Sequence, residues 1–293
     1  MKFTNKYNLP QTFVNVVNRP TYTKGKAHIS ATGLLNSPRI VQLTNAHYDD
    51  IEVDISDMIY SVYGTAIHGV LEQGADANHI VEQRLHAELD GWHISGAIDL
   101  QIVHDDGIEI NDYKNVSVWS VMNEKVEWEQ QLNIYAWLVE KLKQAPITRL
   151  AIVAIIRDWS RREAKTRQGY PQSQVVVIDV NLWSMEEREM FIRNRIHIHS
   201  EGLFATDAKE ELPLCTPAEM WEKPTTYAVK KEGASRAKSV HQKLEEAEDA
   251  LEKAGKGYTL EIREGDRTRC ANFCQVAPFC SQYQQYVEEK NGN

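Results

Sequence analysis

The chain has 293 residues, 42% of them hydrophobic and 26% charged, with a formal charge of −9. That length and apolar share suffice for a substantial core in one elaborated domain or two small ones, and the acidic balance excludes a protein that coats nucleic acid through general basicity, while leaving room for a local basic groove. The longest strongly apolar run, Leu150 to Ile156, is far too short to span a bilayer, and the opening MKFTNKYNLPQTF lacks the apolar core of a signal peptide, so a soluble cytoplasmic protein with no membrane partner is expected.

In chain order, residues 1–27 are weakly patterned and read as an arm. Ser30-Ala31-Thr32-Gly33 marks a helix start in which a hydroxyl caps the first turn. Residues 58–85 have helical periodicity, with Ile67, Val70 and Leu71 apolar and His68 and Glu72 one turn apart on one face. Residues 93–103 and 108–114 are strand-like, joined by the hairpin signal His104-Asp105-Asp106-Gly107. A two-residue turn at Asp106-Gly107 would set Asp99 opposite Lys114. A loop of all four residues would set Asp99 opposite Asp112. In either register Asp99, Asp112 and Lys114 are expected on one face.

Two close carboxylates repel unless a positive charge lies between them. Magnesium suits such a site, because it takes oxygen ligands and binds through one or two carboxylates plus substrate phosphates. A metal there would polarise a phosphodiester and help generate hydroxide, and the Lys114 ammonium could orient the attacking water and offset charge growing on the phosphoryl oxygens. By spacing alone, a solvated hairpin that happens to carry charges explains these letters equally well. A second long helical pattern covers 117–143, with Gln131 and Tyr135 four apart; Trp119 and Trp128 on it could stack on unpaired bases or belong to the core. Strands are expected at 150–156 and 175–180 and a helix over 183–203, ending before Gly202. Candidate phosphate contacts are Arg157, Arg161, Arg162, Lys165 and Arg167, with Lys230, Lys231, Arg236 and Lys238 farther on; each also reads as a solvated surface.

Gly64-x3-His68, Asp99, Asp112-x-Lys114 and Gln131-x3-Tyr135 thus occur in the order helix, strand, strand, helix. This order and spacing resemble the RecB-type branch of the PD-(D/E)XK nuclease superfamily. The resemblance implies an α/β restriction-endonuclease-like fold, a mixed central sheet flanked by helices. It implies that His68, Asp99 and Asp112 bind Mg2+ or Mn2+ with the Tyr113 carbonyl as a further ligand, that Lys114 is the catalytic lysine, and that Gln131 and Tyr135 organise the site and contact DNA. Gln130 is the alternative glutamine. Ile98 stands where the family has proline, and the second acid is Asp112 rather than glutamate.

All four cysteines lie in the last third: Cys215 alone, then Cys270, Cys274 and Cys280 within eleven residues. In a reducing cytosol a disulfide is the weaker explanation, and four thiolates suit either structural zinc or an iron–sulfur cluster. The Cys-x3-Cys-x5-Cys run resembles the cluster-binding end of RecB-type nucleases such as the AddB subunit and CRISPR-associated members, and implies a [4Fe-4S] cluster. In those relatives the distant cysteine precedes the core, where this chain has Ser37-Pro38-Arg39; Cys215 would supply the fourth ligand instead. Phage-encoded RecB-like nucleases are also similar, with a Cys-Thr-Pro…Trp segment and a small insert before the cysteine-rich end. Between Cys215 and Cys270 such an insert is expected: strands at YAVKK and RAKSV, a helix at LEEAEDALEKAG and a strand at YTLEI.

The expected organisation is an N-terminal arm and helical segment (1–56), a nuclease core (57–203) and a cysteine-bounded insert with its closing segment (204–293). The expected function is an Mg2+- or Mn2+-dependent deoxyribonuclease, an exonuclease on DNA ends or single strands in phage or bacterial recombination, repair or degradation. Alternatives are a structure-specific endonuclease or a catalytically silent, cluster-bearing DNA-binding subunit. Partners beyond DNA could be further copies of the chain or a recombination or replication protein.

Overall fold

The computed structural model describes residues 1–19, 25–123 and 125–292. The chain opens with β1 (Lys2–Thr4), α1 (Gln11–Val17), β2 (Ile29–Ser30), α2 (Ala31–Leu35), α3 (Pro38–Ala46) and β3 (Glu52–Asp54). Part of the expected arm is therefore ordered: β1 pairs in parallel with β3. One carboxylate fastens it, since Asp54 accepts from Thr4 Oγ1 (2.8 Å), Lys6 N (2.9 Å) and Ser56 N (3.0 Å), and these bonds hold its carboxyl well below the usual range. Ser30 caps α2 as expected, its hydroxyl accepting from Gly33 N at 3.0 Å.

Next come α4 (Ile59–Leu71), β4 (His79–Leu89), β5 (Trp92–His104), β6 (Gly107–Val116), α5 (Val118–Met122) and α6 (Val126–Lys143). The helix expected over 58–85 therefore ends at Leu71, apart from one 3-10 turn, and residues 79–89 form a strand instead. Asp90-Gly91, both at positive φ (50° and 78°), make the two-residue hairpin that pairs β4 to β5 from Leu89↔Trp92 back to His79↔Ile102. The expected 117–143 helix is broken into α5 and α6; Glu124 lies outside the described residues, and Asn123 and Lys125 on either side of it have non-helical backbone.

The β5–β6 turn is Asp105-Asp106, with His104 paired to Gly107 and Leu100 to Asn111. Continued by one residue, this register sets Asp99 against Asp112, as the four-residue loop required. Gly107 has φ 149°, and a Cβ there would collide with the Pro146 carbonyl oxygen, so glycine lets the strand start pass under the next one.

The remaining core elements are β7 (Ile147–Ile156), α7 (Arg161–Thr166), β8 (Val175–Val180) and α8 (Met185–Ala208). The mixed sheet runs β2-β5-β6-β7-β8, with β4 on the other edge of β5; β2–β5 and β6–β7 are parallel, the rest antiparallel. Helix α6 is enclosed by sheet and helices, and Leu132, Ile134, Trp137 and Leu138 have no exposed surface. Every residue from Gln131 to Val139 is buried, so this middle stretch is covered on all sides while the charged ends reach solvent. Helix α8 begins with a Ser184–Glu187 capping box and runs through Gly202, beyond the expected end, because glycine there lets the helix lie against Pro38 of α3: a Cβ would come 2.9 Å from the proline Cβ.

The C-terminal third contains β9 (Glu222–Lys223), β10 (Thr226–Lys231), β11 (Ala237–His241), α9 (Leu244–Ala254), β12 (Tyr258–Arg263), β13 (Asp266–Arg267), α10 (Thr268–Asn272) and α11 (Ser281–Asn291). Strands β11-β10-β12 and helix α9 are the expected insert. The tail returns to the N-terminus: Val276 packs with Ile51 and Val53, and Phe279 stacks on His47 at 4.2 Å.

Gly96 of β5 fixes the distance between sheet and α6, since a Cβ there would lie 2.7 Å from Leu138 Cδ1 and 2.9 Å from the Tyr135 ring. Gly96→Ala is expected to destabilise the protein by about 1–3 kcal/mol, read as a lower urea midpoint at unchanged slope; an unchanged midpoint would contradict the packing described.

Candidate functional site

The site forms where β5 and β6 part. Beyond Leu100↔Asn111 the ladder stops, and the Asp99 carboxylate takes over from the strand: its Oδ2 accepts from Tyr113 N at 2.8 Å. From α4, His68 reaches across, with Nδ1 3.6 Å from Asp99 Oδ1 and 3.1 Å from Glu82 Oε1, and Nε2 3.3 Å from the Tyr113 carbonyl oxygen. Its ring meets Tyr113 edge-on at 5.9 Å.

On the other side Asp112 is nearly sealed, 1% exposed. Lys114 Nζ stands 2.7 Å from its Oδ2, and Gln131 Nε2 donates to its Oδ1 at 3.1 Å. The same glutamine accepts from Lys114 Nζ at 3.0 Å and donates to the Tyr135 hydroxyl at 2.7 Å. One amide thus sets the lysine, the acid and the tyrosine, which makes Gln131 rather than Gln130 the glutamine of the site.

Every residue expected here from the sequence is in the cluster: His68, Asp99, Asp112, Tyr113, Lys114, Gln131 and Tyr135. Glu82 was not expected. Its carboxylate, His68 and Asp99 offer ligand atoms within 4.8 Å of one another. Glu72, one turn from His68 in the sequence pattern, lies in the 3-10 turn after α4, and it is the strand residue Glu82 that reaches the histidine. Glu82 lies opposite Asp99 in register, yet has φ 49° within β4, a left-handed backbone unusual for a non-glycine residue and absent from the ladder on either side.

Burial and the nearby Asp112 charge raise the Asp99 carboxyl to about 7, against the lowering by His68, the Tyr113 N–H and Lys114. The buried Asp112 Oδ2 has no aligned hydrogen bond despite the ammonium beside it. Acids in this state fit a divalent cation: oxygen donors with one imidazole suit Mg2+ or Mn2+.

Around the rim, Arg157 of the expected basic cluster lies over the Tyr60 ring at 4.4 Å and donates to the Asn115 carbonyl. Lys230 instead pairs with Glu261 at 3.1 Å. Trp119 is 61% exposed with Lys125 over its ring at 4.4 Å, whereas Trp128 packs on the core.

The four cysteines, from segments 55 residues apart, line one cavity beside α3. Burial raises the thiols of Cys215, Cys270 and Cys274, Cys270 to about 11, with neighbouring cysteines adding to the rise at each of the three. Cys215 Sγ donates to Ser37 Oγ at 3.2 Å, so the late cysteine does arrive beside the early Ser-Pro-Arg segment. Arg39, 1% exposed, ties the segments together: it donates to Glu211, the Leu212 and Pro213 carbonyls and Ser281 Oγ, with Cys280 Sγ at 3.9 Å.

The model of the PD-(D/E)XK nuclease superfamily matches residues 70–281. A solved structure described as "Crystal structure of SSO0001" is similar over 64% of this chain and 82% of its own, at 17% identity and a TM-score of 0.44, a likeness too distant to bear on function. No curated protein matches.

Asp99 binds its proton more tightly folded than unfolded, so its contribution to stability falls as pH rises from about 4 to about 7. In metal-free buffer Asp99→Asn is expected to melt with the parent near pH 4 and above it at pH 8. Added Mn2+ should raise the melting temperature at pH 8 in the parent only. A parent–variant difference that does not change with pH would contradict the assignment.

Proposed function

Because the chain belongs to the PD-(D/E)XK nuclease superfamily, we propose that it is an Mg2+- or Mn2+-dependent deoxyribonuclease of RecB-like type, acting as an exonuclease on DNA ends or single strands. The observation that carries this reading is the contact chain Tyr135–Gln131–Asp112–Lys114 beside His68 and Asp99. The RecB-type resemblance supplies the exonuclease preference.

His68, Asp99 and Asp112 are the proposed metal ligands, with the Tyr113 carbonyl and Glu82 completing the set. A bound divalent ion supplies a polarised phosphate and a water of lowered pKa. Lys114, 24% exposed on its side chain, is held at its ammonium by Asp112 Oδ2 and Gln131 Oε1. Its ammonium orients the attacking water, accompanies its proton loss, and offsets the charge that develops on the phosphoryl oxygens. Gln131 has no proton to exchange at neutral pH; its role is to hold Lys114 and Asp112 in register. Tyr135, on the α6 side, holds Gln131 and faces the DNA backbone.

We further propose that Cys215, Cys270, Cys274 and Cys280 hold a [4Fe-4S] cluster that fastens the tail to the core. Their shared cavity and the buried Arg39 guanidinium support this reading, because a cationic neighbour favours an anionic thiolate cluster. Anaerobically purified protein is expected to be brown, with iron and acid-labile sulfide in equal amounts. Colourless protein with stoichiometric zinc would overturn the cluster and leave the nuclease reading intact.

With Mn2+ or Mg2+, the protein is expected to degrade linear DNA and spare closed circles. Asp112→Ala should lower the rate by at least about a hundredfold while keeping the far-UV spectrum of the parent. Undiminished digestion by the variant would refute the site; cutting of closed circles would make the enzyme an endonuclease.

A further inference from the structure

The β5 edge opposite β4 is shared by two strands. β6 pairs with Leu100–His104 and β2 pairs with Ile94 and Ser95, so residues 96–99 lie between two partners. At about 3.3 Å per residue the opening is roughly 13 Å long. One end is Asp99. At the other lies a cavity of about 270 Å³ lined by Ser95, Gly96, Thr32, Ser30 and Tyr135. Ser30 also lines a second cavity, of about 640 Å³, whose walls include Trp92, His28, Gln42, Asn45 and His199. Ser30 thus borders both cavities, one beside Tyr135 and the other beside Trp92.

Two buried polar atoms in these linings have no hydrogen-bond partner among the described residues. Ser95 Oγ lines the first cavity, and Ser95 has no exposed surface. His199, 1% exposed, lines the second; its Nε2 donates to the Leu34 carbonyl oxygen at 3.0 Å, which leaves Nδ1 as an acceptor without a donor. Such atoms are rare in a native interior, and each calls for a partner, a water or a ligand group.

The chemistry of the larger cavity is specific. Among the described residues no Asp, Glu, Lys or Arg lines it. Among those residues it therefore offers no fixed charge to pair with a phosphate or a free ion. It offers an aromatic wall, Trp92 with the His28 ring set edge-on at 6.0 Å, itself fixed by the His93 N–H to His28 Nδ1 bond of 2.9 Å. Gln42 and Asn45 add amide groups, and Val41 and Leu203 an apolar floor. A flat, uncharged heterocycle with donors and acceptors on its edge satisfies all of these at once.

We propose that this cavity binds one unpaired nucleobase of the DNA strand whose backbone crosses the opening at Gly96–Asp99, stacked on Trp92. The proposal rests on the nuclease reading for its substrate, and goes beyond it in assigning a base site about 23 Å along β5 from the acids, seven residues at about 3.3 Å each. The strand would then be held at two points, phosphate at the acids and base at Trp92.

The test uses full-length Asp112→Asn protein, which keeps the strand intact, and fluorescein-labelled single-stranded oligonucleotides carrying one abasic residue at each position in turn. Anisotropy titrations are expected to show one position at which the missing base weakens binding about tenfold, as for loss of one stacked base. Adding Trp92→Ala should weaken the intact oligonucleotide by a similar factor and abolish the further loss at that position, since both changes remove one contact. Asn45→Ala is the second probe if Trp92→Ala does not fold. Equal affinity at every abasic position, an abasic penalty that persists undiminished in both cavity variants, or no binding of the oligonucleotide would each overturn the base site. Because these titrations require no cleavage, failure of the parent enzyme to cut DNA would count against the nuclease reading alone.

Discussion

The hydrogen bond from Tyr113 N to Asp99 Oδ2 is the constraint on which the site depends. At that point a side-chain oxygen replaces the next strand–strand bond, so β5 and β6 separate without leaving the Tyr113 N–H unpaired. Separation keeps the Asp99 and Asp112 carboxylates close in register but free to turn toward a common centre. It also frees the β5 edge for β2, bringing Ser30 and α2 alongside. The opening, the acid pair and the position of the N-terminal segment are one arrangement.

That arrangement is costly without a cation. Asp99 is driven toward its protonated form by burial and by Asp112, and Glu82 adopts a left-handed backbone opposite it. A fold selected only for stability would place apolar residues on this edge, as it does two strands away, where Ile152 and Ala154 are fully buried. Groups held against their intrinsic preference at the mouth of a cleft are what metal-dependent chemistry requires. Gln131 links this centre to the core. Its amide reaches three polar groups, and the helix that carries it is buried without interruption from Gln131 to Val139, so the geometry of the site inherits the rigidity of α6.

Much of this is legible in the letters because it depends on short-range periodicity. The alternation in 93–114 puts Asp99, Asp112 and Lys114 on one face, the i, i+4 spacing puts Gln131 and Tyr135 on one face of α6, and the Asp-Asp-Gly turn narrows the register to the observed one or its neighbour. Glu82 escapes through a wrong period: residues 79–89 come after an apolar helix with only Gly74 and Asn78 to break it, and their letters read as its continuation. The signal is present in Asp90-Gly91, the residue pair of a two-residue hairpin. Given that turn, β4 folds back on β5 and residue 82 falls opposite residue 99 by counting alone. The end of α8 escapes for a different reason. Gly202 reads locally as a stop, and only the approach of Pro38, far away in the chain, makes it a contact inside the helix.

The cysteine end shows a similar long-range dependence. Cys215 has no local partner, and its placement depends on a charged residue far away: Arg39 draws the segment 211–213 and Ser281 around one guanidinium, which sets Cys215 against Ser37. A buried arginine is stable only with its donors satisfied, so each of these partners is held in place by the cost of losing it. Cys215 thus arrives from the far end of the chain at the corner formed by Ser37-Pro38-Arg39. The buried cation on α3 thereby fixes where the thiols of Cys215 and Cys280 lie relative to that helix, although neither cysteine is near it in sequence.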